Sequence, residues 1–351
     1  MKLTDKQTFA VYKLKTGVDN GILQQSLGGL AGTGKTTIVK YLVKFFPDFG
    51  VAAFTGKAAN VLRKKDVPGA TTIHSRIYIP VVENGVLTGF ELTARDELGC
   101  QGFIIDEASM VSKDLYLDLK SYGLPMIFVG DHGQLEPIGT DFNLMAKPDY
   151  KLEEIHRNAG EIAWFAGHLR EGKRATHYKP TEGKVEFLSK NYITDEDLLS
   201  VDQIICAYNK TRVGLNQRVR AALGYSNEPQ VGERVICLKN NSQLGLFNGM
   251  QGTIKRLYKD KHKNMMDFEF DSTIYNVWYD TRFFNCEKPE FDYTGRDNPN
   301  PFDYAYAITA HKAQGDEFDK VLVFSQYNSN WDQKRWDYTA ASRAKSMLKW
   351  A

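Results

Sequence analysis

The chain predicts an α/β fold in more than one domain, on three observations. Short apolar runs each end in a polar or glycine-containing turn, helical patterns separate them, and two stretches carry strand-type residues with no helix between. Runs of this kind suit parallel strands buried on both faces, with ligands at the carboxyl edge of the sheet. A length of 351 residues exceeds what one core comfortably fills and points to two or three domains.

Taken in order, an apolar run at Ile22 to Leu27 precedes a helical pattern at Thr36 to Phe46. Further strand candidates are Val51 to Phe54, Phe103 to Ile105 and Met126 to Val129. Between 76 and 100 the runs Ile77 to Val82 and Val86 to Leu92 flank Asn84-Gly85, a strong hairpin signal. The helical pattern of Gly160 to Arg170 opens a second part, in which Ile204 to Ala207 is a buried strand and Thr211 to Leu223 a basic amphipathic helix. From Val231 to Tyr279 the chain is rich in Val, Ile, Phe and Tyr, with turns at Asn240-Asn241, Asn248-Gly249 and Lys259-Asp260, the pattern of a small β-barrel insert. Asp297 to Pro301 reads as the linker out of it, after which strands Tyr304 to Ile308 and Val321 to Phe324 and a helix Trp331 to Ala344 return to α/β. The expected domains are therefore 1–150, carrying the hairpin insert at about 76–100; 151–230 joined with 301–351; and the barrel insert, 231–300.

Composition narrows the function classes. At 42% hydrophobic and 25% charged residues the chain reads as globular, and no apolar run reaches the ~18 residues of a membrane helix, so no membrane partner is expected. Met1 to Asp5 lacks the apolar core of a signal peptide, which leaves the cytoplasm as the expected compartment. Cys100, Cys206, Cys237 and Cys286 form no C-x-x-C pair and support neither a zinc ribbon nor a disulfide framework. A net charge of +2 excludes a histone-like cationic coat but allows a channel lined locally by Lys and Arg.

Gly29-Leu30-Ala31-Gly32-Thr33-Gly34-Lys35-Thr36 fits G-x-x-x-x-G-K-[ST] and sits between a strand and a helix, the context of a phosphate-binding loop. Its glycines allow backbone N–H groups to turn inward, and the helix after it offers a partly positive N-terminus. Lys35 is expected on the β- and γ-phosphates and Thr36 on Mg²⁺, with Gly29, Gly32, Thr33, Gly34 and Thr37 completing the ATP site. Asp106 and Glu107, at the end of an apolar strand, are the next element. Asp106 would hold Mg²⁺ and Glu107 would polarise the attacking water, since phosphoryl transfer is mostly positioning and charge stabilisation; Asp106 as an N-cap is the bland reading. Gln134, in Gly130-Asp131-His132-Gly133-Gln134 after another strand, suits a γ-phosphate sensor. The pattern amounts to a RecA-like P-loop NTPase core.

The order of these motifs, with Glu154-Ile155-His156-Arg157, the string Tyr306 to Gly315 and the string Tyr338 to Lys345, resembles the superfamily 1B DNA helicases of the RecD-like and Dda-like branch over Thr4 to Lys345. The resemblance implies two RecA-like domains, a hairpin insert in the first and an SH3-like β-barrel insert in the second, the latter on Gly232 to Val235 and Phe247 to Gly252. It makes Arg157 and Arg343 the arginines that reach the γ-phosphate, adds Gly315 to the nucleotide set, and makes Gln7 an adenine reader; Gln7 equally fits a Thr4-x-x-Gln7 capping box. It assigns single-strand contacts to Thr55, Lys57, His74, Thr309, His311 and Lys312, and Asn248 in the insert joins them. Uncharged donors and lysines of this kind position a strand without reading its bases, although His74 and His311 also suit core histidines. Tyr78, Val82, Val86 and Phe90 in the hairpin either stack on a terminal base pair or fill a satellite core. Glu136 departs from the family's usual proline, and the closing strand of the second domain is expected to be short.

What the resemblance implies in function is an ATP-driven, Mg²⁺-dependent helicase moving 5′ to 3′ on single-stranded DNA and acting at duplex junctions. It is expected to work as a monomer, with replication or recombination proteins as partners, and in a host cytoplasm if phage-encoded. A single-strand translocase that strips proteins, or a regulatory DNA-binding subunit of a recombination complex, would share nearly every motif. A small-molecule kinase would need neither the paired arginines nor the Thr309-x-His311-Lys312 string.

Overall fold

The computed structural model describes residues 3–83, 86–136, 142–154, 160–241, 244–290 and 298–351. They form two compact units, Met1–Ala175 with Lys334–Thr339, and Thr176–Gln333 with Ala340–Ala351. Each is built around its own parallel sheet.

The first unit opens with α1 (Asp5–Asp19), capped by Thr4, whose side chain accepts from the Gln7 N–H while the Gln7 side chain accepts from the Thr4 N–H. The chain continues through β1 (Gln24–Gly29), α2 (Lys35–Phe45), β2 (Phe49–Ala53), α3 (Gly56–Lys64), β3 (Thr71–Thr72), α4 (Ile73–Ile77), and the hairpin strands β4 (Tyr78–Glu83) and β5 (Val86–Leu92). It ends with β6 (Gly102–Asp106), α5 (Lys113–Ser121), β7 (Met126–Gly130), β8 (Tyr150–Leu152) and α6 (Gly160–Arg170). The sheet order is β3-β2-β6-β7-β1-β8, all parallel. Alternation along the strands divides the core. Ile104 and Ile127 face Leu14, Ile38 and Leu42. On the other side, Phe103, Ile105 and Phe128 face Ile77, Leu115 and Leu119. The register Gly28↔Gly130 and Ile105↔Phe128 brings the carboxyl ends of β6, β7 and β1 together, side by side at one edge.

Strand positions follow the sequence reading to within two residues, and β4 pairs with β5 in the expected hairpin. Helix α6, read as opening the second part, groups with the first unit. The tip of the hairpin at Asn84-Gly85, the side chains of Val82 and Val86, the side chain of Lys57, and Arg157 lie outside the described residues.

The second unit contains β9 (Val185–Phe187), α7 (Asp195–Leu199), β10 (Gln203–Cys206), α8 (Asn209–Ala222), β11 (Arg234–Cys237), β12 (Gln251–Asp260), β13 (Lys263–Phe270) and β14 (Thr273–Tyr279). After these come β15 (Phe302–Tyr304), β16 (Ala307–Thr309), β17 (Phe318–Val323), α9 (Gln333–Ala341), most of which groups with the first unit, and β18 (Ala344–Trp350). A parallel sheet runs β16-β10-β17-β18-β9, and an antiparallel sheet runs β14-β13-β12-β11-β15. Asn300 bridges the ends of the antiparallel sheet by donating its backbone N–H to the Trp278 carbonyl at 2.7 Å.

Two expectations need correction. The single strand Tyr304 to Ile308 is two strands, because the chain leaves β15 in the antiparallel sheet and enters β16 in the parallel one. The broken ladder is completed by side chains. Asn216, fully buried on α8, donates to the Tyr304 and Ala307 carbonyls at 3.2 and 3.1 Å and accepts from the Ala307 N–H at 2.7 Å. Gln203 donates to the Ala305 and Tyr306 carbonyls at 3.2 and 3.1 Å. The helix expected over Trp331 to Ala344 stops at Ala341, and β18 follows for seven residues, so the closing strand is not short. The alanines favour a helix locally, but Leu348 and Trp350 are buried in register with β17 and β9, and packing overrides propensity.

Replacing Asn216 by Ala strands three buried backbone groups at the point where the chain changes sheets. The expected loss is about 2–3 kcal/mol, measured as a lower urea midpoint for the second unit.

Candidate nucleotide site and nucleic-acid edge

The phosphate loop closes because its glycines have no side chains. Gly32 and Gly34 take φ of 77° and 83°, and a Cβ on Gly29 would come within 2.7 Å of Thr33 Oγ1 and 2.8 Å of Lys35 Cγ. Behind the loop, a Cβ on Gly28 would meet Pro148 Cγ at 2.6 Å and His132 Nδ1 at 2.8 Å. Gly34 is the N-cap of α2 and contributes no side-chain cap, so Lys35, Thr36 and Thr37 form a first turn whose backbone donors face the loop. Thr33 Oγ1 donates to the Leu30 carbonyl at 2.7 Å.

Lys35 Nζ donates to the carbonyls of Gly29 and Leu30 at 2.7 and 3.2 Å and lies 3.4 Å from Asp131 Oδ2. Asp131, 1% exposed, directly follows β7 and gathers at least four donors. The Gly133 N–H reaches Oδ1 at 2.9 Å, while Gln134 Nε2 and the Tyr338 hydroxyl reach Oδ2 at 3.3 and 2.7 Å, beside the Lys35 ammonium. The Tyr338 hydroxyl also accepts the Ala31 N–H of the phosphate loop at 2.5 Å. Helix α9 is fastened further by Thr339 Oγ1, which accepts the Leu135 N–H at 2.9 Å, and by Arg335, which donates to the Gln134 carbonyl at 3.0 Å. Glu136, where the family has proline, pairs with Arg335 at 3.4 Å and accepts from Asn143 at 3.1 Å.

Asp106 stands at the end of β6, with Glu107 next to it in the left-handed region, φ 54° and ψ 39°. Burial pushes the Asp106 carboxyl above its ordinary range; the Glu107 backbone N–H and the Lys35 ammonium pull the other way. Gln134 is 3% exposed, and its Oε1 has no hydrogen-bond partner among the described residues. Gln7 takes both of its sequence readings to the same place: it completes the capping box of α1, and its Nε2 donates to the Thr33 carbonyl at 2.9 Å.

Thr55 and His74 lie beyond the carboxyl ends of β2 and β3. Thr55 caps α3, its hydroxyl accepting the Ala58 N–H at 3.1 Å; His74 is exposed, its ring 5.4 Å from that of Tyr78, which in turn is 6.4 Å from Phe90. The second unit gathers the rest. Thr309 ends β16, its hydroxyl accepts the Lys312 N–H at 3.4 Å, and Lys312 Nζ donates to Asn248 Oδ1, so two residues separated by 64 positions share one contact. Burial lowers the His311 and Lys312 pKa values, which keeps the imidazole neutral near pH 7. Gly315 turns with φ 77°, and Arg343, 4% exposed, donates to the Asp316 carbonyl at 3.2 Å and to Ser342 Oγ at 2.8 Å.

The first unit therefore brings together Gln7, the phosphate loop, Asp106, Glu107 and Gln134, and the second brings together Asn248, Thr309, His311, Lys312, Gly315 and Arg343. Sequence reasoning missed Asp131 and Tyr338 as site residues. An acidic residue directly after a buried strand is a signal for the first; Tyr338, more than 300 positions from the loop it touches, carries none.

A family profile described as "AAA domain" matches residues 2–190, just over half of the chain. The chain belongs to the AAA-domain family. The profile of the UvrD-like helicase C-terminal domain matches residues 304–348, from β15 through β18. The chain is 25% identical to the ATP-dependent RecD2 DNA helicase of Deinococcus radiodurans, over 91% of its own length and 45% of the relative's. It is 33% identical to the ATP-dependent DNA helicase Dda of Enterobacteria phage T4 over 42% of its length and 38% of the relative's. The crystal structure of Bacteroides Pif1 in complex with ADP-AlF3 and single-stranded DNA superposes with a TM-score of 0.59 at 19% identity, covering 99% of this chain and 92% of that one, which shows a shared fold. The curated relatives it matches first are longer proteins, of which it spans 28% to 45%.

Asp131→Ala would leave the Tyr338 hydroxyl, the Gln134 amide and the Lys35 ammonium without their shared acceptor. The first unit should lose about 2–4 kcal/mol, read by thermal melting, and Tyr338→Phe, which keeps the ring and removes one donor, about 1 kcal/mol.

Proposed function

We propose that the chain is an ATP-driven DNA helicase that moves 5′ to 3′ on single-stranded DNA. The observation that carries the reading is the row of groups at the carboxyl edge of the first sheet: the glycine cradle and Lys35 after β1, Asp131 after β7 and Asp106 after β6. A cradle lined by backbone donors and one lysine, next to a carboxyl raised by burial, fits a triphosphate with a divalent cation.

In this reading Lys35 leaves the loop carbonyls for phosphate oxygens, and Asp106 and Thr36 would hold Mg²⁺, which supplies charge neutralisation at the phosphates. Glu107 orients the attacking water. Gln134 presents a carboxamide whose Oε1 takes no partner among the described residues, suited to that water or to the γ-phosphate. Arg157 and Arg343 supply guanidinium donors to the charge that spreads over the transferring group. The hairpin of the first unit is the candidate wedge, and the five-stranded antiparallel sheet of the second is read as the SH3-like insert, with Asn248 and Lys312 carrying a phosphate contact between insert and core. RecD2 and Dda are named as ATP-dependent DNA helicases, which supports the same activity here.

The test is strand separation on partial duplexes with a 5′ or a 3′ single-stranded tail. Unwinding of the 5′-tailed substrate alone, abolished in Lys35→Ala, is the expected result; tail-stimulated hydrolysis without strand release would identify a translocase. Arg343→Ala should leave nucleotide affinity within a few-fold and lower turnover by about 10³ or more, as removal of a transition-state arginine does.

The raised Asp106 pKa gives a pH signature. Protons compete with Mg²⁺ for this carboxylate, and a raised pKa means that competition begins above the ordinary carboxylate range as pH falls. The Mg²⁺ concentration for half-maximal hydrolysis should therefore climb on acidification before exposed carboxylates titrate, and Asp106→Asn should lose that dependence with most of the activity.

A further inference from the structure

Three aromatic residues of the second unit, Tyr208, Tyr327 and Trp331, have no part in the reading above and meet at the carboxyl edge of its parallel sheet. Strand β10 ends at Cys206, in register with Thr309, and the Ala310 N–H donates to the Cys206 carbonyl at 3.0 Å. Tyr208 therefore sits beside the turn that carries Thr309, His311 and Lys312. Its ring stacks on that of Trp331, with centroids 5.4 Å apart and planes 30° from parallel, and its hydroxyl donates to the Tyr327 carbonyl at 3.1 Å. The Tyr327 ring itself is 75% exposed.

The loop that presents these rings is braced. Gln326 Oε1 accepts the Ala207 N–H at 3.0 Å, and its Nε2 donates to Thr211 Oγ1 at 2.8 Å. Gln333 accepts from Trp331 Nε1 at 2.9 Å and donates to the Gln326 carbonyl at 3.0 Å. Four side-chain hydrogen bonds thus fix the backbone beneath a tyrosine whose own ring is left in solvent. A single exposed aromatic is ordinary, but one whose backbone is tied to a stacked pair, at the sheet edge where ligands bind in open α/β folds, adds to a preformed aromatic surface. Lys210, two residues after Tyr208, is exposed on the first turn of α8.

We propose that Tyr208, Tyr327 and Trp331 form a base-stacking platform for the single strand whose phosphates lie along Thr309, His311 and Lys312. The proposal rests on the DNA-binding reading above and adds to it an uncharged contact with the nucleobases. Flat rings accept any base by its π-face, so the contact adds affinity without sequence preference, as movement along a strand requires.

The test is binding of a fluorescein-labelled oligothymidylate, followed by anisotropy across a salt series, by the unaltered chain and by Tyr327→Ala, Tyr208→Ala and Lys312→Ala. Tyr327 is exposed, so its substitution leaves the fold intact, and a melting curve checks this for Tyr208→Ala. Tyr327→Ala should weaken binding about five- to tenfold at every salt concentration without changing the slope. Lys312→Ala should instead flatten the slope by about 0.7, the value of one released counterion on a single strand. On an oligonucleotide of abasic residues, Tyr327→Ala and the unaltered chain should bind alike. Equal affinity on oligothymidylate, or the same loss on abasic strands, would overturn the platform while leaving DNA binding in place; absence of oligonucleotide binding by the unaltered chain would remove both.

Discussion

A carboxylate with almost no exposure is stable only where donors surround it, and Asp131 is such a group. Lys35, Gly133, Gln134 and Tyr338 converge on its two oxygens, and these four residues come from the phosphate loop, the turn after β7 and helix α9. The architecture of the first unit leads to this point. Parallel strands put every carboxyl end on one edge, the β7 register places Gly130 beside Gly28, and the missing side chain of Gly133 in the turn lets Leu30 of the loop and Tyr338 of the helix approach it, where a Cβ would come within 2.8 and 2.9 Å of them. The same contact explains why Lys35 lies against carbonyls and an acid: its charge is held in a polar setting from which phosphate oxygens, bearing more negative charge, can draw it.

Tyr338 adds a constraint that a list of motifs does not contain. Its hydroxyl accepts the N–H of Ala31, one of the backbone groups that a phosphate oxygen would use, while donating to Asp131. Helix α9 thus reads the phosphate loop with an uncharged group, and Arg343 follows only five residues later in the chain. A change at the loop has a short covalent route to the residue proposed to complete catalysis.

Much of the first unit was legible in the sequence because its signals are local. Apolar runs bounded by glycine give parallel strands, and the G-x-x-x-x-G-K-T string fixes a strand, a loop and a helix together. Asp106 and Gln134 declared themselves by their position at strand ends. The second unit was harder to read where the chain changes sheets. Tyr304 to Ile308 has one uninterrupted apolar pattern, and nothing within those five residues tells that Asn216 and Gln203, about a hundred positions upstream, stand ready to satisfy a broken ladder. The end of α9 was misread for a related reason: alanine-rich residues score as helix, while burial of Leu348 and Trp350 between two neighbouring strands is a tertiary fact. Asp131 and Tyr338 escaped because their importance lies in each other, across 207 positions.

The two sheet edges differ in their chemistry, and the difference follows the kind of ligand each would hold. Along the first, backbone N–H groups, an ammonium, the buried Asp131 and the partly buried Asp106 lie at neighbouring strand ends, an arrangement suited to a compact polyanion with its cation. Along the second, the donors are a threonine, a histidine kept neutral by burial and a lysine whose charge burial disfavours, with aromatic rings next to them. Few charges and several uncharged contacts bind a polymer weakly at each point and release it readily, which suits the stepwise motion proposed. In the proposed reading, strong charge serves the site where a bond breaks, and weak, repeated contact serves the surface along which a strand slides.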